Sequence, residues 1–316
     1  MAQRVLVLGA TGTAGRAAAQ ALVAAGHSVT CFGRRDPHIP GTRVRIGDVE
    51  DAGSIARDGF TDGYFDTVVS CLASRTGAPE DAWAIDHRAH LLLLDAALDT
   101  GVRHFVYLSA ICVQKPRLAF QHAKLAFEDT LAGSGLRYSI VRPTAYFKSL
   151  SGQVNRLRAG KPFLLFGDGA LTACKPISDG DLGDYIAGCL DDPDRQNRIL
   201  PIGGPGPALT PRAQGEALFA ALDLTPKFRH VPVRLLDGIR TGLRVGGWVS
   251  PKLAAKAELA EIGRYYATES MLLWNPEQNQ YDADATPETG SDTLPAFYQR
   301  LAVGAETVQL GAHAVF

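Results

Sequence analysis

Residues Gly9-Ala10-Thr11-Gly12-Thr13-Ala14-Gly15 stand between a short apolar run, Arg4–Leu8, and an alanine-rich helical stretch over 12–25. A turn with glycine at every third position, a strand before it and a helix after it, admits few folds. Glycine permits the tight reversal and lets other backbone or a ligand approach closely. The helix that follows offers unpaired N–H groups and the positive end of its dipole to an anion. The segment therefore reads as a pyrophosphate-binding βα turn at the head of an open α/β sheet, through Gly9, Thr11, Gly12, Thr13, Ala14 and Gly15.

The following residues extend that sheet. Strand-like runs recur at Ser28–Gly33, 42–47, 66–71, 103–109 and 137–142, with a helical stretch over 84–98 stopped by Gly101. Alternating β and α segments with short connections predict a doubly wound parallel sheet. Beyond about Tyr146 the rhythm breaks into Pro- and Gly-rich pieces. We expect a nucleotide-binding domain over 1–145 and a smaller substrate lobe over 146–316, set over the carboxyl ends of the strands. Residues 195–205 return to the first domain as a seventh strand.

Composition narrows the partners. The chain of 316 residues carries 32 basic and 33 acidic side chains, a formal net charge of −1, so neither nucleic-acid binding nor a polybasic anchor is expected. Five scattered cysteines without a C-x-x-C pair fit reduced thiols and a cytoplasmic location. No apolar run is long enough for a transmembrane segment, although peripheral contact with a membrane stays open. Because the first strand begins by Arg4, no signal or transit peptide is expected. No histidine sits in a ligand-like spacing, and no metal site is predicted.

Specific side chains follow from the sheet. Strand two ends in Gly33-Arg34-Arg35, where an acidic residue would grip an unphosphorylated adenosine ribose. Two guanidiniums there suit a 2′-phosphate instead, which favours NADPH over NADH. Asp48 and Val49 after strand three fit the adenine edge, and Cys71, Leu72 and Ala73 after strand four fit the floor beneath the adenosine. Between Leu108 and Glu128 the chain reads LSAICVQKPRLAFQHAKLAFE: a strand end, a turn, then a helix that Pro116 suits as a first turn and Gly133 as an end. Phe120, Ala123, Phe127 and Leu131 form an apolar stripe on it. Lys124 borders that stripe, either as a surface lysine paired with Glu128 four residues on or as a functional cation.

Phe120 and Lys124 occupy the places where short-chain dehydrogenases carry Tyr-x-x-x-Lys. The resemblance goes further. LSAICVQKP, FQHAKLAFE, SIVRPTAYFKSLSGQV, FGDGALTACKPIS, LPIGGPGPALTP and GRYYATESM together resemble the 8-vinyl reductases of divinyl chlorophyllide, atypical short-chain dehydrogenases of chlorophyll and bacteriochlorophyll synthesis. The resemblance runs from about Val5 to the C-terminus. It implies a Rossmann sheet of the extended dehydrogenase type and a bacterial enzyme. It also implies NADPH-dependent reduction of the C8 vinyl group of a Mg-chlorin or Mg-porphyrin pigment precursor. In that reading Lys124 is the catalytic lysine and holds the nicotinamide ribose, with Pro143 and Thr144 against the nicotinamide. The proton comes from water, Lys124, Gln121 or His122. A flat pigment with a propionate tail calls for aromatics and a cation, and Phe147, Lys148, Phe166, Lys175 and Tyr265 are the candidates. Tyr146, Phe163, Tyr266 and Arg264 stand behind them.

The missing phenol fits this chemistry. Hydride addition to a conjugated vinyl group forms no alkoxide, so no hydroxyl is needed beside a carbonyl. It also fits two rivals: an NmrA-like NADP-binding redox sensor without catalysis, and, less well, a reductase or epimerase of a small carbonyl or sugar-nucleotide substrate.

Overall fold

A computed structural model of the chain describes residues 1–61, 64–76, 78–247 and 251–307. The chain divides into two compact units. The first comprises Met1–Ser74, Pro79–Pro143 and Asp179–Ile202; the second comprises Arg75–Ala78, Thr144–Ser178 and Gly203–Phe316.

The strands in chain order are β1 (Arg4–Leu8), β2 (Ser28–Gly33), β3 (Arg43–Ile46), β4 (Thr67–Ser70), β5 (His104–Leu108), β6 (Arg137–Pro143), β7 (Phe163–Phe166), β8 (Arg198–Ile202), β9 (Phe228–Val231), β10 (Leu273–Asn275) and β11 (Gln280–Asp282). The first unit holds a seven-stranded sheet in the order β3-β2-β1-β4-β5-β6-β8, and every pairing in it is parallel. Its central strands are buried throughout: every position of β4 and β5 is buried, Thr67, Ser70 and His104 included, as expected where helices cover both faces. Leu6, Leu8, Val68, Phe105, Tyr107, Phe127 and Leu131 lie in one continuous core. The order reverses between β1 and β4, and such a switch point opens a crevice at the carboxyl ends of the strands.

The unit boundary differs from the sequence expectation. Residues 179–202, not only the strand near 195–205, belong with the sheet. The reason is the helix Asp179–Gly188, which packs on the helix Thr13–Ala24 so closely that a Cβ on Gly183 would lie 2.6 Å from the Ala17 carbonyl oxygen. Two other elements also depart from expectation. The stretch over 84–98 is a π-helical turn, Trp83–Ala89, followed by the α-helix His90–Asp99. The helix after β5 starts at Ala119, beyond Pro116, because the Gln121 side chain accepts from the Arg117 and Leu118 N–H groups at 2.7 and 2.9 Å and caps it there.

The second unit is built from short pieces. β7 pairs in parallel with β9, and β10 pairs antiparallel with β11. The helices Pro211–Ala221 and Leu294–Ala302 each begin at a threonine cap followed closely by proline. Phe147, Leu157, Phe163, Leu165, Phe219, Phe297 and Tyr298 form its core.

Candidate active site

The carboxyl edge of the parallel sheet gathers the predicted cofactor residues of the first unit. Gly9 follows β1 with φ of +77°, and a Cβ there would lie 2.5 Å from the Cys71 carbonyl oxygen at the end of β4. A Cβ on Gly15 would lie 2.3 Å from the Gly9 carbonyl oxygen. Backbone thus fills the space that side chains would take, and the turn closes through a 2.9 Å hydrogen bond from Gly12 N–H to the Gly9 carbonyl. Gly12 caps the helix Thr13–Ala24 without a side-chain acceptor, and no acid stands in its first turn. The helix N-terminus keeps its positive potential for an anion.

Arg34 and Arg35 follow β2, both exposed, and neither joins an ion pair among the described residues. Asp48 is exposed after β3; its N–H donates to Ser54 Oγ at 2.9 Å and its carboxylate accepts from Glu50 N–H, while Val49 is buried. Cys71 and Leu72 are half-buried and Ala73 exposed after β4. Burial pushes the Cys71 thiol up to about 12, so it stays protonated and unreactive. These features, a cradle without Cβ atoms, an uncapped helix start and two unpaired guanidiniums, fit a dinucleotide phosphorylated on its ribose.

At the β5 end the geometry removes one of the two readings of Lys124, the surface lysine paired with Glu128. Lys124 is buried and its partner is not Glu128. Its ammonium lies 3.0 Å from Asp86 Oδ1, 3.4 Å from the Tyr107 hydroxyl and 3.5 Å from the Leu108 carbonyl oxygen. Burial is the largest influence on Lys124 and opposes the charged form. The Asp86 carboxylate, helped by Tyr107, outweighs it and holds the lysine pKa above its ordinary value. Burial likewise raises the Tyr107 phenol. Glu128 instead accepts from Ser109 Oγ and pairs with Arg142 through both guanidinium edges. Helical spacing put Glu128 within reach of Lys124; the π-helical turn Trp83–Ala89 offers Lys124, and β6 offers Glu128, a better-placed partner.

Phe120 is half-buried while Ala123, Phe127 and Leu131 are fully buried. Gln121 is wholly buried, with its carbonyl oxygen committed to the helix cap, and His122 is exposed. Asp86, Ser109 and Arg142 were not anticipated. The π-helical turn that aims Asp86 inward has no local signature, but Ser109 directly after a buried strand was a readable signal.

The second-unit candidates need correction. Phe147 is 2% exposed and packs against Phe297 at a centroid distance of 5.3 Å, a core residue and not a lining one. Tyr265 is 3% exposed beside Tyr266, and Phe163 is also core. The buried Lys175 ammonium is matched by Glu288 and the Thr286 carbonyl, so it is not free for a substrate carboxylate. Arg264 is likewise paired, with Asp237. Thr144 is buried, its hydroxyl donating to the Lys175 carbonyl. Pro143 closes β6, and Lys148 and Phe166 are half-buried. Among the described residues no cluster of three or more histidines, cysteines or acids is placed to hold a metal, and no helix is long and apolar enough to cross a membrane.

The fold and the glycine turn define a nicotinamide-dinucleotide-binding protein of the Rossmann class: residues 9–193 match the NAD(P)H-binding family. An NADPH-dependent quinone oxidoreductase from Escherichia coli, solved with NADPH, shares the fold. Its TM-score is 0.68 over 94% of this chain and 99% of that one, at 16% identity. The particular family is shown by closer relatives. The divinyl chlorophyllide a 8-vinyl-reductase of Zea mays is 46% identical over 99% of this chain and 82% of its own length. That of Arabidopsis thaliana is 44% identical over 94% and 76%. The chain belongs to the divinyl chlorophyllide a 8-vinyl-reductase family.

Proposed function

We propose that this protein reduces the C8 vinyl group of divinyl chlorophyllide, or of its protochlorophyllide precursor, to ethyl with NADPH. The observation that carries the reading is the 46% identity along 99% of the chain to a protein named for that reaction. When bound, NADPH supplies the hydride. The turn Gly9–Gly15 and the start of the helix Thr13–Ala24 take the pyrophosphate, and Arg34 and Arg35 take the 2′-phosphate. Asp48, Val49, Cys71, Leu72 and Ala73 border the adenosine. Lys124 binds the nicotinamide ribose: its contacts to Tyr107 and Leu108 sit at the outer limit of hydrogen bonding, so a ribose hydroxyl can replace either.

The absence of a phenol at position 120 follows from the substrate. The macrocycle spreads the charge left by hydride addition, and no alkoxide needs a donor. Because Asp86 keeps Lys124 protonated, the lysine orients and does not relay; the proton at the neighbouring carbon comes from water. Pro143 and Thr144 border the nicotinamide, and Lys148 and Phe166 are the pigment contacts we retain in the second unit. We place the protein in the cytoplasm, with contact to pigment-bearing membranes at most peripheral.

The test is direct. Purified protein with NADPH and divinyl chlorophyllide should oxidise one NADPH per pigment, with the small blue shift expected when one vinyl leaves conjugation. Tight NADPH binding with no spectral change would favour the sensor reading instead.

A further inference from the structure

We infer that Asp86 is the positioning residue of this site, one carboxylate that fixes both Lys124 and the loop after β4 in their cofactor-binding places. This rests on the reading of Lys124 as the cofactor-orienting residue. Asp86 is wholly buried. Its Oδ1 lies 3.0 Å from Lys124 Nζ, and its Oδ2 accepts from Ser74 N–H at 3.3 Å. Ser74 ends the segment Cys71-Leu72-Ala73-Ser74 that follows β4, the segment assigned to the adenosine. The two oxygens therefore join two parts of the carboxyl edge that lie fifty residues apart in sequence (74 and 124).

The local structure explains how an acid comes to be there. Asp86 sits in the π-helical turn Trp83–Ala89, a rare geometry that re-aims side chains and often marks functional sites. Within one element, Asp86 and Ala89 are buried while Trp83 stays 37% exposed against His87, at 5.3 Å between ring centroids.

Among the described residues, Asp86 is the one anionic partner Lys124 touches. From the helix His90–Asp99, His90 faces the cluster. Its Nδ1 lies 2.8 Å from the Ile85 carbonyl, which can only accept, so Nδ1 carries the proton and Nε2 accepts from Ser70 Oγ at 2.9 Å. Burial lowers its pKa to about 4, so it adds no second cation at neutral pH. From β5 comes the neutral Tyr107 phenol, and from the loop after β4 the protonated Cys71 thiol. On Lys124's own helix, Glu128 is committed to Ser109 and Arg142. With Asp86 made neutral, burial, the largest influence on Lys124, would be opposed only by the weaker contact to Tyr107 and would drive the lysine pKa down.

Three variants test this, read by NADPH affinity and by turnover of divinyl chlorophyllide across pH 6 to 9. Asp86→Asn keeps an acceptor for Ser74 but removes the charge. It should lower turnover on the order of a hundredfold, as expected when a reacting group is mispositioned. NADPH affinity and turnover should both fall further as pH rises and the lysine deprotonates, whereas the wild type stays flat. Asp86→Glu should recover most of the loss. A merely structural role would move neither the pH profile nor its rescue.

If Asp86→Asn does not fold, the doubly neutral Asp86→Asn/Lys124→Met protein removes the uncompensated buried charge. It should match Lys124→Met in both readouts. A pH-independent Asp86→Asn protein within about twofold of wild type, too small a loss for a positioning residue, would overturn the inference. So would a further loss in the double variant. Because NADPH affinity is read without pigment, an inactive wild type would sink the substrate reading and leave this one standing or falling on its own.

Discussion

The two ends of the same carboxyl edge are built on opposite principles. At the β1–β2 end the site is made by omission: no Cβ at Gly9 or Gly15, no acid in the first helical turn, and no ion-pair partner for Arg34 or Arg35 among the described residues. At the β5–β6 end it is made by accumulation, with Asp86, Lys124, Tyr107, Glu128, Ser109 and Arg142 locked into two buried networks. The first end suits a highly charged phosphate moiety, which needs open N–H groups and exposed cations. The second suits a neutral ring that must be held at a defined angle, where buried charge supplies rigidity. Substitutions at the first end should alter cofactor affinity, and those at the second should alter stability and turnover together.

The largest effect should come from the omission end. Gly15→Ala places a methyl 2.3 Å from the Gly9 carbonyl oxygen, which only a backbone shift can relieve. Overpacking of this kind costs about 3 kcal/mol, so NADPH affinity should fall roughly a hundredfold. A fluorescence titration that finds affinity within threefold of wild type would disqualify this turn as the pyrophosphate cradle.

The accumulation end should reveal itself in acid. Burial holds His90 at this end, and likewise His104 at the amino-terminal start of β5, near a pKa of about 4 in the folded state, against an ordinary value of 6.5. As pH falls, the unfolded chain takes up these protons first. The histidine contribution is therefore intact above about 6.5 and is lost progressively toward pH 4. At pH 5 each histidine should account for about 2 kcal/mol of lost stability. Urea unfolding at pH 7 and pH 5 measures the drop, and His90→Gln should remove roughly half of the histidine share. An unchanged drop in that variant would mean that His90 is solvated or already paired.

How far each end could be read from the sequence follows from the same contrast. Omission is local: Gly-x-x-Gly-x-x-Gly between a β-branched run and an alanine-rich helix identified the turn. Strand limits at Arg4–Leu8 and Ser28–Gly33 were readable to the residue. Accumulation is not local. Lys124 and Glu128 are four residues apart on one helix, yet each is neutralised by a residue on another element, which helical spacing cannot reveal. The π-helical turn carrying Asp86 has the apolar pattern of an ordinary helix. In the second unit, Phe147 reads from the sequence as a pigment contact because it directly follows the loop after β6; the structure seats it among Leu157, Phe163 and Phe297. The helix Asp179–Gly188 was missed as part of the sheet domain because the chain leaves that domain for residues 144–178 before it returns.

A smaller effect should distinguish the two phosphate-binding elements of the omission end. Arg34 and Arg35 are exposed, so their contribution is screened by salt and confined to the 2′-phosphate. Replacing both by alanine should reduce the preference for NADPH over NADH by about tenfold, as expected for loss of a charge-assisted contact. Affinity for NADH should be untouched. Titrations of both nucleotides at low and high salt check this. An equal loss for both would assign the arginines to the pyrophosphate.

The smallest effect should come at Phe120, whose missing hydroxyl first set this chain apart. Phe120→Tyr restores the Tyr-x-x-x-Lys spelling but not its physics. A working phenol needs a lysine free to depress its pKa, and here the Lys124 charge is matched by Asp86 at 3.0 Å. Residue 120 is half-buried, so the added hydroxyl can reach water and should cost little stability. Turnover of the vinyl substrate should stay within about twofold of wild type, because no proton transfer to oxygen occurs in that reaction. No carbonyl reductase activity should appear. If the tyrosine variant did reduce carbonyls, Lys124 would have to leave Asp86 when NADPH binds, and the two ends of the edge would be less different than their geometry makes them.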